Sequence, residues 1–185
     1  MGWNDINENA SKEKTPYTKF TVGNNMFRIL GDEPYSYWSH WLQKQQTSVA
    51  CAGRDCPICN LIKAAKEAGE TPAYNSTKRH AILVWNYTTN QAEIMIQGKT
   101  FFNQLLDLHQ EVGDIRSYDI KVIRKGKGTD TTYTILPQPA KEFDREGKNI
   151  PEVNFAELFA PPTHEEMLQL IEGKTWAEIN GKEEK

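Results

Sequence analysis

The chain has 185 residues, 38% of them hydrophobic, and a formal net charge of −3; that length suits one domain with appendages, and no apolar run approaches a membrane span. A net negative charge alone argues against a polyanionic partner, but residues 1–151 carry 19 basic and 17 acidic side chains (+2), whereas 152–185 carry 3 and 8 (−5). The molecule therefore reads as a near-neutral body with an acidic tail. A polar N-terminus without a span makes the cytoplasm the expected location, with no membrane partner.

Residues 1–16 are polar and aperiodic, and the reading is a flexible arm whose most adhesive residue is Trp3. From Lys19 the pattern becomes strand-like through Phe20, Val22 and Met26 to Leu30, and Gly31-Asp-Glu-Pro34 forms a turn. The next strand is Tyr35-Ser-Tyr-Trp-Ser-His-Trp-Leu42. Its alternation puts Tyr35, Tyr37 and Trp41 on one face and Trp38, His40 and Leu42 on the other.

A cysteine cluster follows. His40, Cys51, Cys56 and Cys59 have the spacing H-x10-C-x4-C-x2-C, with all three cysteines of the chain inside nine residues. Zinc takes four nitrogen or thiolate ligands in a tetrahedron, and a Cys-x-x-Cys turn supplies two from one tight loop, so the expected cofactor is a structural Zn2+. His40 is the nearest upstream histidine; His80, beyond the short helix ending at Gly69, is its competitor as fourth ligand. A redox Cys56/Cys59 pair would require a βαβ setting that is absent from the pattern, and the odd cysteine count with no signal peptide disfavours a disulfide scaffold.

The sheet resumes at Ala81-Ile-Leu-Val-Trp85-Asn-Tyr87, turns at 88–91 and returns through Ile94-Met-Ile96. A helix from about Thr100 carries Phe101, Leu105, Leu108 and Val112 on one stripe and closes at Gly113. Residues 118–125 and 131–136 make a last hairpin around the basic loop Gly126-Lys-Gly-Thr-Asp130, and Pro137-Gln-Pro139 ends the sheet. Five or six strands with one helix before the final hairpin is the order of an OB barrel. The predicted class is thus mainly β (α+β): an OB-fold core at 17–137, a metal insertion at about 47–79, a Pro-rich linker at 138–162 and an acidic helix at 163–185. Thr163 and Glu166 fit a capping box at the start of that helix, which Gly173 stops. Phe155, Leu158 and Phe159 form an apolar cluster able to dock on the barrel or on a partner.

Single-stranded nucleic acid needs cations for phosphates and rings for unstacked bases. Both interleave here, and the candidate contacts are Arg28, Tyr35, Tyr37, Trp41, Trp85, Tyr87, Lys99, Arg124, Lys125, Lys127 and Tyr133. Gly-Lys-Gly in the hairpin keeps a cation beside a backbone that a phosphate can approach closely.

The cysteine-rich insertion in a small barrel, the stretch Tyr-Asp-Ile-Lys-Val-Ile-Arg-Lys-Gly-Lys-Gly-Thr-Asp-Thr-Thr-Tyr and the acidic C-terminus together resemble the phage single-stranded DNA-binding proteins of T-even type and their relatives. The resemblance covers roughly residues 18–137. It implies an OB fold, a zinc subdomain, sequence-indifferent coating of single-stranded DNA in replication and recombination, and the host-cell cytoplasm as location. It further implies replication or recombination partners recruited through the tail. By the same match His40, Cys51, Cys56 and Cys59 are zinc ligands, and Arg124, Lys125, Lys127 and Tyr133 face DNA. The chain is expected to be a monomer or weakly self-associating.

No Gly-rich phosphate loop, His-Glu-x-x-His motif or carboxylate cluster points to catalysis, so no enzymatic activity is expected. Two rivals stand beside the DNA reading. One is a zinc-stabilised interaction adaptor; the other is a zinc nuclease or deaminase, which requires an open metal position near a carboxylate such as Asp55. The acidic tail either visits the DNA groove as a competing polyanion or packs permanently on the body.

Overall fold

The apolar run Ala81-Ile-Leu-Val-Trp85 lies at the centre of the molecule. A strand apolar at every position must be covered on both faces, and all of residues 81–86 are buried. They belong to β4 (Ser76–Asn86). The computed structural model, which describes residues 14–181, builds one mostly antiparallel seven-stranded sheet around it.

A strand has two edges. One edge of β4 is taken by β5 (Gln91–Gly98), paired from Arg79 to Asn86. The other is shared: β2 (Tyr35–Leu42) pairs with residues 76–81 and β1 (Gly23–Ile29) with residues 84–86. Between them the chain passes over β4 at Gly31, whose N–H, like that of Leu30, donates to the carbonyl of Leu83. A Cβ on Gly31 would meet Ile82 Cγ1 at 2.9 Å, so only glycine allows this approach. A hairpin adds β3 (Thr47–Ala50) to β2, while β6 (Tyr118–Lys125) and β7 (Thr132–Ala140) extend the sheet beyond β1. The order is β3-β2-β4-β1-β6-β7, with β5 branching from β4.

The α+β class and the largely antiparallel sheet match expectation, but the sheet does not close into a barrel. Closure would pair β5 with β7. Instead the free edge of β5 takes the chain entering β1: Thr18 N–H donates to Ile94 O at 2.9 Å, and Ile94 N–H to Pro16 O at 2.8 Å. Residues 1–13, including Trp3 and most of the expected arm, lie outside the described residues, as do 182–185.

Helix α2 (Lys99–Val112) covers the inner face, burying Phe101, Phe102 and Leu105 against Phe27, Ile29, Ile82, Val84, Met95 and Ile120. Its stripe stops early, for Val112 is exposed. The outer face is covered by residues 141–160, here termed the strap, which reads as a linker by composition but carries the short helix α3 (Phe155–Leu158). Phe143, Ile150, Val153, Phe155 and Phe159 pack on Ala81, Leu83, Trp85, Ala92 and Ile94. Two strand ends also differ from expectation. β4 starts at polar Ser76, because pairing with β2 rather than hydrophobicity holds that end, and β7 continues through Pro137 and Pro139, which an edge strand tolerates.

The third body of structure is a small module. Helix α1 (Pro57–Glu67) packs under the β2–β3 hairpin, and α4 (His164–Glu172) docks against both. Leu42, Val49, Cys56, Ile58, Met167 and Leu170 form its buried core. Thr163 and Glu166 make the expected capping box, and Gly173 ends α4 in the left-handed conformation (φ 101°). Gln45 Nε2 donates to the carbonyls of Leu170 and Lys174, fastening the helix C-terminus to the hairpin. Burying Met167 and Leu170 is worth about 1.5–3 kcal/mol each. The C-terminal segment through Ile179 is therefore part of the architecture. No helix among the described residues is long and apolar enough to cross a membrane.

Candidate metal centre and nucleic-acid interface

His40 leaves the middle of β2 on the face opposite Tyr37 and Trp41, and its side chain is fully buried. Opposite it, Cys56 caps α1, Pro57 occupies the first helical position and Cys59 falls one turn later, so both thiols point back at the hairpin. Cys51 follows β3, held by its N–H to Trp38 O at 2.8 Å. The four ligand atoms lie within 4.8 Å of one another. His40 Nε2 is 3.4 Å from Cys56 Sγ and 3.6 Å from Cys59 Sγ, and Cys51 Sγ is 3.5 Å from Cys59 Sγ. Metal–ligand bonds of 2.0–2.3 Å give tetrahedral edges of about 3.5–3.8 Å, so the spacing suits one ion.

Second-layer contacts orient the set. His40 Nδ1 lies 3.0 Å from the carbonyl of Asn75. A carbonyl only accepts, so Nδ1 carries the proton and Nε2 presents its lone pair to the thiols. Gly53 N–H donates to Cys51 Sγ at 3.4 Å. Burial opposes ionisation of Cys56, yet backbone N–H groups around it, that of Cys59 foremost, bring its thiol below the ordinary range. Burial, reinforced by Cys51 and Cys56, pushes Cys59 up to about 12. Three thiolates this close repel one another, and a cation among them removes that conflict. His80, the competing ligand, is elsewhere: its Nδ1 shares a 2.7 Å hydrogen bond with Ser36 Oγ.

The expected DNA contacts separate into three groups. Two are corrected by burial. Arg28 is 1% exposed, and its Nε donates to Asp119 Oδ1 at 2.7 Å while Nη1 and Nη2 donate to the carbonyls of Arg116 and Lys141. Trp85 is 2% exposed in the outer core under Phe143 and Lys148. Neither can touch a ligand in this conformation, since charge and ring are both consumed internally.

A second group is present but covered or engaged. Tyr35 and Tyr37 stand side by side, with centroids 6.2 Å apart, beneath strap residues Phe155 and Phe159. Phe159 stacks on Tyr37 at 4.3 Å and 12°. Burial pushes the Tyr37 hydroxyl up to about 12. Tyr87 lies half-buried under Lys141 and donates to Asp119 Oδ1 at 2.8 Å. Tyr133 packs edge-on against Phe20 and Phe101, and its cross-strand neighbour Arg124 donates to Phe20 O.

The third group is open to solvent. Trp41 is 46% exposed on the outer side of β2. Lys125 and Lys127 project from the β6–β7 loop. Gly126 there has φ 81°, and a Cβ would strike Asp130 O, which makes this loop glycine-dependent. Lys99 is exposed at the start of α2, away from the outer face. Among the described residues, the exposed rings outside the expected contacts are Tyr17 and, on β2, Trp38, 51% exposed. It alternates with His40 and Leu42, both buried, and so reads as interior; its cross-strand partner Lys78 is the signal that this end of the face is wet.

Comparison with protein-family models, with curated proteins and with solved structures finds no match.

Proposed function

We propose that the chain is a zinc-stabilised, non-enzymatic protein of OB type that coats single-stranded DNA. The observation that carries this reading is the ring geometry on the outer face. Tyr35 and Tyr37 already hold near-parallel aromatic partners, as a stacking platform holds bases. The strap's Phe155 and Phe159 are the occupants, so a strand reaches the platform by displacing them. Lys125 and Lys127, on the loop between the last two strands, supply phosphate contacts at the rim, the position from which OB barrels grip oligonucleotides. The succession of pairings β5–β4–β1–β6–β7, with a helix before the last hairpin, supports an OB-type reading in which the closing pair is missing.

Zinc is the metal favoured by three thiolates and one imidazole in a closed tetrahedral set, and four protein ligands make it structural. The acidic C-terminal segment keeps Glu165, Leu168 and Glu172 exposed on α4 as a surface for replication or recombination partners. Titration of the full chain with fluorescent oligo-dT at two salt concentrations tests the reading. Binding should weaken with a log–log slope of about −0.7 per phosphate neutralised. No binding, or affinity indifferent to salt, removes the DNA assignment and leaves an adaptor whose outer face receives an aromatic peptide.

A further inference from the structure

The strap covers one face of the β2–β4 pair; the other face has an opening of its own. Along the flank of α2 from Lys99 to His109, a cleft of about 530 Å³ lies between the helix, strands β2 and β4, and the turn at Asp32 and Glu33. This is within the range of small-molecule and single-base pockets. Its wall is apolar, formed by Ile82, Phe102, Leu105 and Leu106. Lys78 and Lys99 line it, and neither forms an ion pair among the described residues.

Trp38 does not line the cleft itself, but it is half exposed and stands directly across the β2–β4 register from Lys78, which does. Ser36 and His80, the next cross-strand pair on this face, also line the cleft and share a 2.7 Å hydrogen bond. Burial, and then Lys78, lowers the His80 pKa, so the imidazole is neutral at pH 7 and serves as a polar contact rather than a charge. Two carboxylates also line the cleft. Asp32 is held by Arg116, which also pairs with Asp114. Glu33 has no such partner among the described residues, which directs an anion to the Lys78–Lys99 end.

An apolar slot, two unpaired cations and an exposed indole combine the features that recognise a nucleotide: a flat base and its phosphate. We propose that this cleft, with Trp38 at its mouth, is a second nucleotide-binding site, open while the strap occupies the outer face. One base of a single strand enters against Phe102 and Leu106, its phosphate lies between Lys78 and Lys99, and a neighbouring base stacks on Trp38. The site lets the closed protein engage a strand before the platform of Tyr35 and Tyr37 is uncovered. It rests on the single-strand reading and extends it.

Lysine footprinting of the full-length wild-type protein, with and without oligo-dT, needs no variant and so is immune to misfolding. Protection of Lys78 and Lys99 from acetylation is expected, together with Lys125 and Lys127. In parallel, Trp38→Ala and the double variant Lys78→Ala/Lys99→Ala, checked for unchanged metal content and melting, should each weaken oligo-dT binding, the ring loss by roughly 5- to 150-fold. Protection confined to Lys125 and Lys127, with both variants binding as wild type, overturns the cleft and leaves the outer-face reading standing. Absence of any oligo-dT binding by wild type overturns both.

Discussion

The metal module and the sheet body are held together by different means. The module's core is six buried residues, one of which is itself a ligand, and two more come from a helix over a hundred residues away in the chain. Such a core is too small to order three short elements unaided, and the four ligand atoms close it. The body instead has an apolar layer on each face of one sheet, joined through a buried polar knot: Arg28, Tyr87 and Lys141 all converge on Asp119. The contrast teaches where each half is vulnerable. The module is expected to fail when its four donors cannot hold an ion, the body when a charge partner is lost.

The largest effect should come from Cys56→Ser. Metal-binding free energy at structural zinc sites is folding free energy, on the order of 10 kcal/mol in small peptides. The variant should bind less than stoichiometric metal, and hydrogen exchange in α1 and β3 should rise while β4–β5 stays protected. Equal loss of protection in both halves would merge module and body into one unit and dissolve the comparison.

Next is Asp119→Ala, which leaves the Arg28 guanidinium buried without its carboxylate. Breaking a buried pair in this way costs about 3–5 kcal/mol, readable as a shift in the urea midpoint. The same carboxylate sets an acid limit. Burial opposes its ionisation, but hydrogen bonds from Lys141, Tyr87 and Arg28 outweigh that and hold it below the ordinary carboxylate range. Its folded pKa is therefore lower than its unfolded value near ~3.9. Its contribution is complete above the unfolded value and disappears as pH falls through the folded one. Wild-type stability should drop below about pH 4, and Asp119→Asn should flatten that drop; an unaltered acid profile would mean other carboxylates govern it.

A smaller effect is expected from Phe159→Ala, which removes the ring stacked on Tyr37. The aromatic pair is worth about 0.5–1.5 kcal/mol beyond its buried area, so melting should fall slightly while oligo-dT binding tightens. Truncating 152–185 would be a poorer probe, because it also strips Met167 and Leu170 from the module. Weaker oligo-dT binding by Phe159→Ala would make the strap a part of the site rather than its occupant. Smallest of all, Lys127→Ala should make the salt slope shallower by less than one unit, and a slope that does not move excludes that loop from the phosphate path.

Much of the local structure was legible. The ligand set follows from cysteine spacing, because a Cys-x-x-Cys turn and one hairpin bring four donors together with little help from elsewhere. The capping box at Thr163 and the stops at Gly113 and Gly173 are likewise local events, set by side chains within a few residues of the backbone groups they satisfy. The choice of His40 over His80 was not legible to the same degree. It depends on which histidine faces α1, and β2 pairs with β4 so that His40 lies opposite Ser76 while His80 lies opposite Ser36.

What the sequence by itself determined, then, is the alternation of β2, the apolar run of β4, the metal donors and the helix ends, all governed by interactions of short chain separation. Only the tertiary structure decided which surfaces stay open. Arg28 reads as a surface cation until Asp119, 91 residues away, takes it into the interior. Tyr35 and Tyr37 read as a free ladder until the strap is laid across them, and Trp38 stays half exposed although it shares a face with buried His40 and Leu42. Local sequence sets which side of a strand a residue faces, because the side-chain period is two. Whether that side meets water depends on segments whose position is fixed by long-range packing.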